Sequence, residues 1–226
     1  MLRRCLTALQ GETVQPYETI VVDNGSSDDS ALIARDFGAT VISETTPGIP
    51  AAASAGYDAA SGDVLVRLDT DTVPAVDWLQ GIARAFARDE GLDAVTAPGI
   101  FTDLGPIARP IAGAVYFGMY FGLIGLLVGR VPLFGSNFAL RRSTWLAVRD
   151  RVHRMDAGLH DDLDLTLHLP RSARVRFDPV LAVAVSARAV LSPSRLAAAT
   201  AKSWHTVLVH APATLPGRLL RARRGR

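Results

Sequence analysis

Apolar positions in this chain fall into short runs with two different periods, and the two kinds of run alternate. Leu2, Leu6 and Leu9 recur at helical spacing and predict an amphipathic opening helix. Residues 18–22 are rich in Ile and Val, which predicts a strand. The polar turn Asp23-Asn24-Gly25-Ser26-Ser27-Asp28 follows. Ser27 or Asp28 can cap the next helix, whose apolar side is Ala31, Ile33, Ala34 and Phe37. Gly38 stops that helix, and residues 40–42 are the next strand. Pro47-Gly48-Ile49-Pro50 turns into a helix of almost all small residues through Ala60, with Pro50 suited to its first turn. Residues 64–68 are an apolar-leaning strand, residues 78–87 a helix and residues 93–96 a strand. Such alternation predicts an α/β layer architecture with a largely parallel sheet. Ligands of such sheets lie beyond the carboxyl ends of the strands. Asp23 and the turn Asp69-Thr70-Asp71 both fall there, which predicts that they share one site.

The second half is patterned differently. Residues 111–128 carry no charge, are rich in Gly and aromatics, and are bounded by Arg109 and Arg130. Their length is near the lower limit for crossing a bilayer. Three readings stay open: a span, an interfacial or acceptor-facing helix, and a buried helix. Residues 134–142 read as a glycine turn entering an alternating strand. Within it Asn137 is either a ligand contact or a local backbone cap. Arg141 and Arg142 either meet a phosphate or pair at the rim of the core. Leu159, Leu163 and Leu167 form one helical stripe with Asp162 off it, and His160, Asp164 and His168 recur every four residues. Trp204 and His205 either close a site or pack a terminal helix, and packing is the expectation.

Composition narrows the function. At 226 residues the chain has enough length for one well-cored domain. A net charge of +2 makes no case for a general nucleic-acid binder, although residues 218–226 are locally very basic. That run suits either a frayed terminus or anionic lipid headgroups. The single cysteine, Cys5, excludes an internal disulfide and a thiolate cluster. It fits a reducing cytoplasm and is expected to be a small buried residue. Asp69 and Asp71, two residues apart at the end of a strand, make a compact oxygen site for Mg²⁺ or Mn²⁺ against a diphosphate. An ordinary acidic turn is the plainer alternative.

Taken together, these segments resemble the family 2 glycosyltransferases over residues 1–195, with elements in the family's order. The segment Ile20-Val21-Val22-Asp23-Asn24-Gly25-Ser26-Ser27-Asp28 resembles the loop whose first Asp contacts the nucleotide. Pro47-Gly48-Ile49 through Gly56 resembles the segment that closes over the donor. Asp69-Thr70-Asp71 resembles the metal-diphosphate motif, and residues 135–142 resemble the wall of the sugar and acceptor site. Asp161-Asp162-Leu163-Asp164-Leu165 resembles the acidic motif bearing the catalytic base, and Ser186-Ala187-Arg188 a late basic element.

The fold implied is GT-A: three layers, α/β/α, around a mostly parallel Rossmann-like central sheet. Family members begin with a central strand ending in a Pro-x-Tyr-Asn-Glu-like loop. This chain opens on the helix that follows it, so the expected sheet is N-terminally truncated. In the donor-closing segment Ala53-Ser54 stands where the family usually has Arg-Asn. The resemblance implies one glycosyltransferase domain over residues 1–226. Residues 1–98 form its nucleotide-sugar half, 99–195 its acceptor side, and 196–226 a terminal helix and tail.

The activity implied is metal-dependent, inverting transfer of a sugar from a nucleoside diphosphate sugar, a UDP-sugar favoured, to an acceptor hydroxyl in envelope, polysaccharide or glycolipid synthesis. Asp23, Asp69 and Asp71 would hold the nucleotide, and Asp71 with Asp69 the Mg²⁺ or Mn²⁺. Asp162 would be the base, its pKa raised by Asp161 and Asp164. Asn137, Asp161, Asp164 and Arg188 would contact the sugar or acceptor. The expected location is the cytoplasm, peripheral to the inner face of the cell membrane, with a lipid-linked acceptor. Two alternatives remain, a noncatalytic binding protein on this fold and a nucleotidyltransferase. The second lacks a glycine-rich, lysine-bearing phosphate loop.

Overall fold

The computed structural model describes residues 1–211, so the basic run at 218–226 lies outside the described residues. Helix α1 (Leu2–Gln10) buries Leu2, Cys5 and Leu6, the face expected from its spacing. It is followed by β1 (Ile20–Asp23), α2 (Ser30–Asp36), β2 (Thr40–Ser43), α3 (Ile49–Ala59) and β3 (Val64–Arg67). The cap position of α2 is Asp29, one residue past the expected Ser27 or Asp28, and makes no side-chain cap bond; Asp28, just outside it, accepts from the Ser30 N–H at 3.0 Å. Pro50 lies in the first turn of α3, as expected.

Next come α4 (Trp78–Arg88), β4 (Ala94–Thr96), β5 (Gly99–Phe101), α5 (Ala108–Phe117), a wider π-helical stretch (Gly118–Ile124) and α6 (Gly125–Val128). The chain continues through β6 (Phe138–Arg141), α7 (Arg142–Val148), α8 (Asp161–His168), β7 (Val175–Phe177) and β8 (Val183–Val185). It then forms α9 (Arg188–Leu191) and α10 (Pro193–Val209).

The main sheet has the order β3-β6-β4-β7, and β1-β2 and β5-β8 pair separately. The ladders β1·β2, β4·β7 and β5·β8 are parallel. Strand β6 runs antiparallel to both neighbours, with Leu140 opposite Leu65 and Ala139 opposite Val95. The expected interruption of the sheet falls between β1 and β3, which share no ladder among the described residues. Glu18 spans the break, its Oε1 accepting from the Ser61 and Gly62 N–H groups at 2.7 and 3.1 Å.

The layers follow from the period-2 alternation of strand side chains. Ala94, Phe138 and Leu140 join one core with Leu65, Trp145, Leu165 and Leu169. Their neighbours Val95 and Ala139 point the other way, into a core with Trp78, Ile82, Phe86, Phe101 and Phe117. Helices α7 and α8 therefore cover one face, and α4 and α5 the other. A third core packs Leu2 and Leu6 of α1 on Ala34 and Ala39 beside β1 and β2. Trp204 departs from expectation: it stands 56% exposed, and α10 turns Thr206 and Val207 inward instead.

Candidate active site

Strand β3 delivers the acidic turn. Its last residue, Arg67, is followed by Leu68 and then Asp69-Thr70-Asp71, closed by a Thr72 N–H to Asp69 carbonyl bond of 3.0 Å. Both carboxylates reach solvent, with side-chain exposures of 43% for Asp69 and 32% for Asp71. Asp69 Oδ2 accepts from the Ser136 hydroxyl at 2.5 Å, and its Oδ1 lies 3.5 Å from Arg67. Asp71 Oδ2 meets the Arg188 guanidinium at 2.8 Å, across 117 residues of sequence. The late basic element is therefore brought to the acidic turn. Helix α1 runs beneath, with Cys5 Sγ 3.9 Å from the Asp69 carbonyl. Burial, and then the charges of Asp69 and Asp71, push the Cys5 thiol up to about 11, which leaves it an inert packing residue.

Asp23, at the carboxyl end of β1, accepts from the Ser26 N–H at 2.9 Å. Hydrogen bonding from Ser26, its side chain first and then that backbone N–H, holds the carboxyl below the ordinary range. Its neighbour Asn24 does more for the shape of this edge. The Asn24 amide donates to the carbonyls of Glu44 and Thr46, and its Oδ1 accepts from the Gly48 N–H at 2.8 Å. One side chain thus fixes the loop after β1 to the start of α3.

Helix α8 supplies the second acidic group. Asp162 is 2% exposed, off the Leu159–Leu163–Leu167 stripe yet buried, because it faces inward to the loop before β6. Its Oδ2 accepts from the Gly135 N–H at 2.6 Å, and its Oδ1 meets His160 Nδ1, also at 2.6 Å. Glycine at position 135 leaves room for this contact: a Cβ there would stand 2.9 Å from Asp162 Oδ2 and 3.3 Å from Arg67, so the carboxylate would have to shift. Electrostatics here correct an expectation. Burial does disfavour the Asp162 charge. The His160 imidazole, Arg67 and the Gly135 N–H outweigh it, so the carboxyl is held below the ordinary range. The same pair raises His160 to about 9. The nearest charged partner is a cation, where neighbouring carboxylates were expected to dominate.

Arg67 joins the two groups. It is largely covered, its side chain 11% exposed, and is ion-paired to Asp161, 3.3 Å from the Tyr57 hydroxyl and within reach of Asp69. Burial opposes its charge, but Asp161, Tyr57 and Asp69 overcome that, so it stays a guanidinium. Composition gave no cue to Arg67, since it lies inside a run read as apolar. His160 and Tyr57 were likewise not singled out for this site, and Ser136 entered only as part of the 135–142 wall. The one available signal was a cation two residues before an acidic turn.

Two expected contacts lie elsewhere. Asn137 is 1% exposed and spends its amide inside the fold. Its Oδ1 accepts from Trp78 Nε1 at 3.2 Å, and its Nδ2 donates to the Pro98 and Leu181 carbonyls. It acts as a staple between β6, α4 and the chain before β8. Asp164 points away from Asp162 into a histidine cluster, accepting from the His153 backbone N–H at 2.8 Å and facing His153 and His210 at 2.7 Å. Arg141 and Arg142 hold the carbonyls of Leu92 and Ala60, both at 2.8 Å, which is the rim role.

Comparison with known proteins gives this geometry a context. The pattern of the family described as Glycosyl transferase family 2 matches residues 1–148. An uncharacterized glycosyltransferase of Mycobacterium bovis is 36% identical over 148 residues, 63% of this chain and 58% of that protein. An undecaprenyl-phosphate 4-deoxy-4-formamido-L-arabinose transferase of Serratia proteamaculans is 34% identical over 96 residues, 39% of this chain and 29% of that protein. The chain spans between 29% and 58% of the length of the curated relatives it matches. Among solved structures, glucosyl-3-phosphoglycerate synthase from Mycobacterium tuberculosis, in complex with Mg²⁺ and uridine diphosphate, superposes with a TM-score of 0.65 at 19% identity. That match covers 92% of this chain and 74% of that one. The fold is GT-A.

Proposed function

We propose that this chain, which belongs to glycosyl transferase family 2, transfers a sugar from a nucleoside diphosphate sugar, a UDP-sugar favoured, to an acceptor hydroxyl with inversion. The observation that carries this reading is the arrangement around Arg67. That side chain touches Asp69 of the acidic turn on one side and Asp161, the neighbour of Asp162, on the other. A diphosphate-binding group and a buried carboxylate base are thereby set side by side.

The donor set of the acidic turn fits a hard divalent ion: it is all oxygen and partly open to solvent, as suits Mg²⁺ or Mn²⁺ retaining waters and phosphate oxygens. Asp71 would hold the ion directly, and Asp69 its hydration shell or the ribose. When bound, such an ion neutralises charge growing on the departing diphosphate. Asp23 would meet the nucleotide. Arg188 adds a second positive charge beside Asp71 for sugar or acceptor. Asp162 would take the acceptor proton from the face opposite the leaving group. The M. tuberculosis neighbour supports the ligand class, since it was also solved with Mn²⁺, UDP-glucose and phosphoglyceric acid. Calorimetric titration with UDP, with and without Mn²⁺, tests the assignment. Asp71→Asn is expected to abolish the metal-dependent part of binding; equal metal dependence in both proteins would sink it.

The acceptor side points to a membrane surface. From Ala108 to Val128 the helix is long and apolar, yet only 17% of its most apolar window is buried. Ile111, Val115, Met119, Leu123 and Leu126 stand exposed along it, while Phe117, Tyr120 and Val128 turn inward. The Tyr120 hydroxyl donates to the Leu133 carbonyl at 2.6 Å, and Phe117 stacks on Phe101. A full span would tear those contacts out. An interfacial helix keeps them and buries only the outer face in lipid. The protein would then sit on the cytoplasmic face of the cell membrane, beside a lipid-linked acceptor in envelope or glycolipid synthesis. Cosedimentation with anionic vesicles at low salt is expected, and is expected to weaken when Val115 and Met119 are both changed to Ser. No vesicle binding at low salt would defeat the placement, and release by detergent alone would indicate a span.

A further inference from the structure

Behind the base-bearing helix lies a second polar cluster that the sugar-transfer chemistry does not use. Its members come from three places: His153 follows α7, Asp164 and His168 lie on α8, and His210 caps the end of α10. One ligand atom from each lies within 4.8 Å of all the others. His153 Nδ1 and His210 Nε2 both stand 2.7 Å from the same oxygen, Asp164 Oδ1, and His168 Nδ1 is 3.5 Å from it. The three rings pack with centroids 4.7 to 5.2 Å apart. The helical repeat in the sequence grouped His160 with Asp164 and His168, but the structure gives His160 to Asp162 and brings in His153 and His210 from 11 and 46 residues away.

We infer that His153, Asp164, His168 and His210 form a structural site for a borderline transition-metal dication, of the Zn²⁺ class. Three imidazole nitrogens and one carboxylate oxygen are a tetrahedral zinc donor set. With bonds of about 2.0–2.1 Å, tetrahedral ligands stand about 3.3 Å apart. The present 2.7 Å pairs need to open slightly and the 4.8 Å spread to close, both within side-chain motion. The second shell is in place. The His153 backbone N–H holds Asp164 Oδ2 at 2.8 Å. His168 Nδ1 is now 2.9 Å from the Asp164 carbonyl, a contact it gives up when it turns to the ion. Asp164 is 5% exposed, whereas His153 is 41% exposed and gives the ion a way in. The set has no thiolate and three nitrogens, so it favours zinc over the hard ions suited to the acidic turn.

Its consequence is mechanical. Asp164 lies two residues from Asp162 on α8, and an ion there would clamp that helix to the end of α10. Thr206 of α10 already accepts from the His160 N–H at 2.8 Å on the neighbouring turn. The test uses the full chain, stripped with chelator and held in excess Mg²⁺ to occupy the acidic turn. One equivalent of Zn²⁺ is expected to bind and raise the melting temperature. Co²⁺ in its place is expected to give the intense visible bands of tetrahedral coordination. His210→Gln is expected to weaken Zn²⁺ by more than about tenfold, beyond the lower end of the loss for an outer-shell partner. His153→Asn should do the same, and being exposed it leaves the fold intact. Failure to take up Zn²⁺ under these conditions, an octahedral Co²⁺ spectrum, or unchanged Zn²⁺ affinity in His153→Asn would overturn the site.

Discussion

Replacing Asp162 with Asn is expected to lower sugar transfer by about 10²–10⁴-fold, the scale of a positioned proton acceptor, with donor binding close to normal. The substitution keeps the shape. The Asn carbonyl can still accept from the Gly135 N–H, and its amide can donate to a neutral His160 Nδ1. It removes the negative charge and the basic oxygen. His160 should report this directly, because its value of about 9 arises first from the Asp162 charge. In Asp162→Asn the His160 resonance is expected to titrate well below that value, towards the ordinary imidazole pKa. The signs of the stability terms follow. His160 is raised on folding, so its contribution is full below the ordinary 6.5 and is lost as pH rises through about 9. Asp162 is depressed, so its contribution holds above the ordinary 3.8 and is lost as pH falls into the acid range. The wild type should therefore lose stability as pH rises from about 6.5 to about 9, and Asp162→Asn should lose that slope. Near-normal turnover in Asp162→Asn, measured where chemistry limits the rate, would remove Asp162 from the role of base.

Much of this site was legible because its parts are local. Asp69-Thr70-Asp71 ends a strand, and a strand's end is visible in a run of apolar residues. Asp162 stands out only through the family-like motif Asp161-Asp162-Leu163-Asp164, since a place off the Leu159–Leu163–Leu167 stripe by itself predicts exposure and this carboxylate is buried. The parts that were missed depend on which segments meet. Strand β6 reads as a strand, but its antiparallel placement between β3 and β4 has no local signature. The three-residue strands β5, β7 and β8 are too short to show a period. Asn137 looks like a polar group at a site wall. Only the arrival of Trp78, Pro98 and Leu181 shows that its amide is consumed. His210 pairs with Asp164 across 46 residues, and periodicity within α8 cannot foresee that. Arg67 is the sharpest case, since one charge in an apolar strand reads as an edge feature until Asp161 is found against it.

Arg67→Met is expected to cost about 3–5 kcal/mol of folding stability, the range for breaking a buried ion pair from one side. The side chains of Arg67 and Asp161 are 11% and 12% exposed, so solvent cannot take over the role of the lost partner. Removing the guanidinium leaves Asp161 unpaired beside the Asp162 carboxylate, and removes the charge next to Asp69 at the same time. Urea unfolding measures the loss. Arg67→Lys keeps the positive charge but cannot reach Asp161, Tyr57 and Asp69 at once with one ammonium, so it should fall between wild type and Met. The decisive variant is Arg67→Met combined with Asp161→Leu. An apolar pair of similar volume often replaces a buried ion pair at little cost, so the double variant should recover most of the stability while transfer stays impaired. The double-mutant cycle then reports a strong coupling between the two positions. A loss below about 1 kcal/mol in Arg67→Met, the level of an exposed pair, would show that the guanidinium does not hold the two halves of the site together.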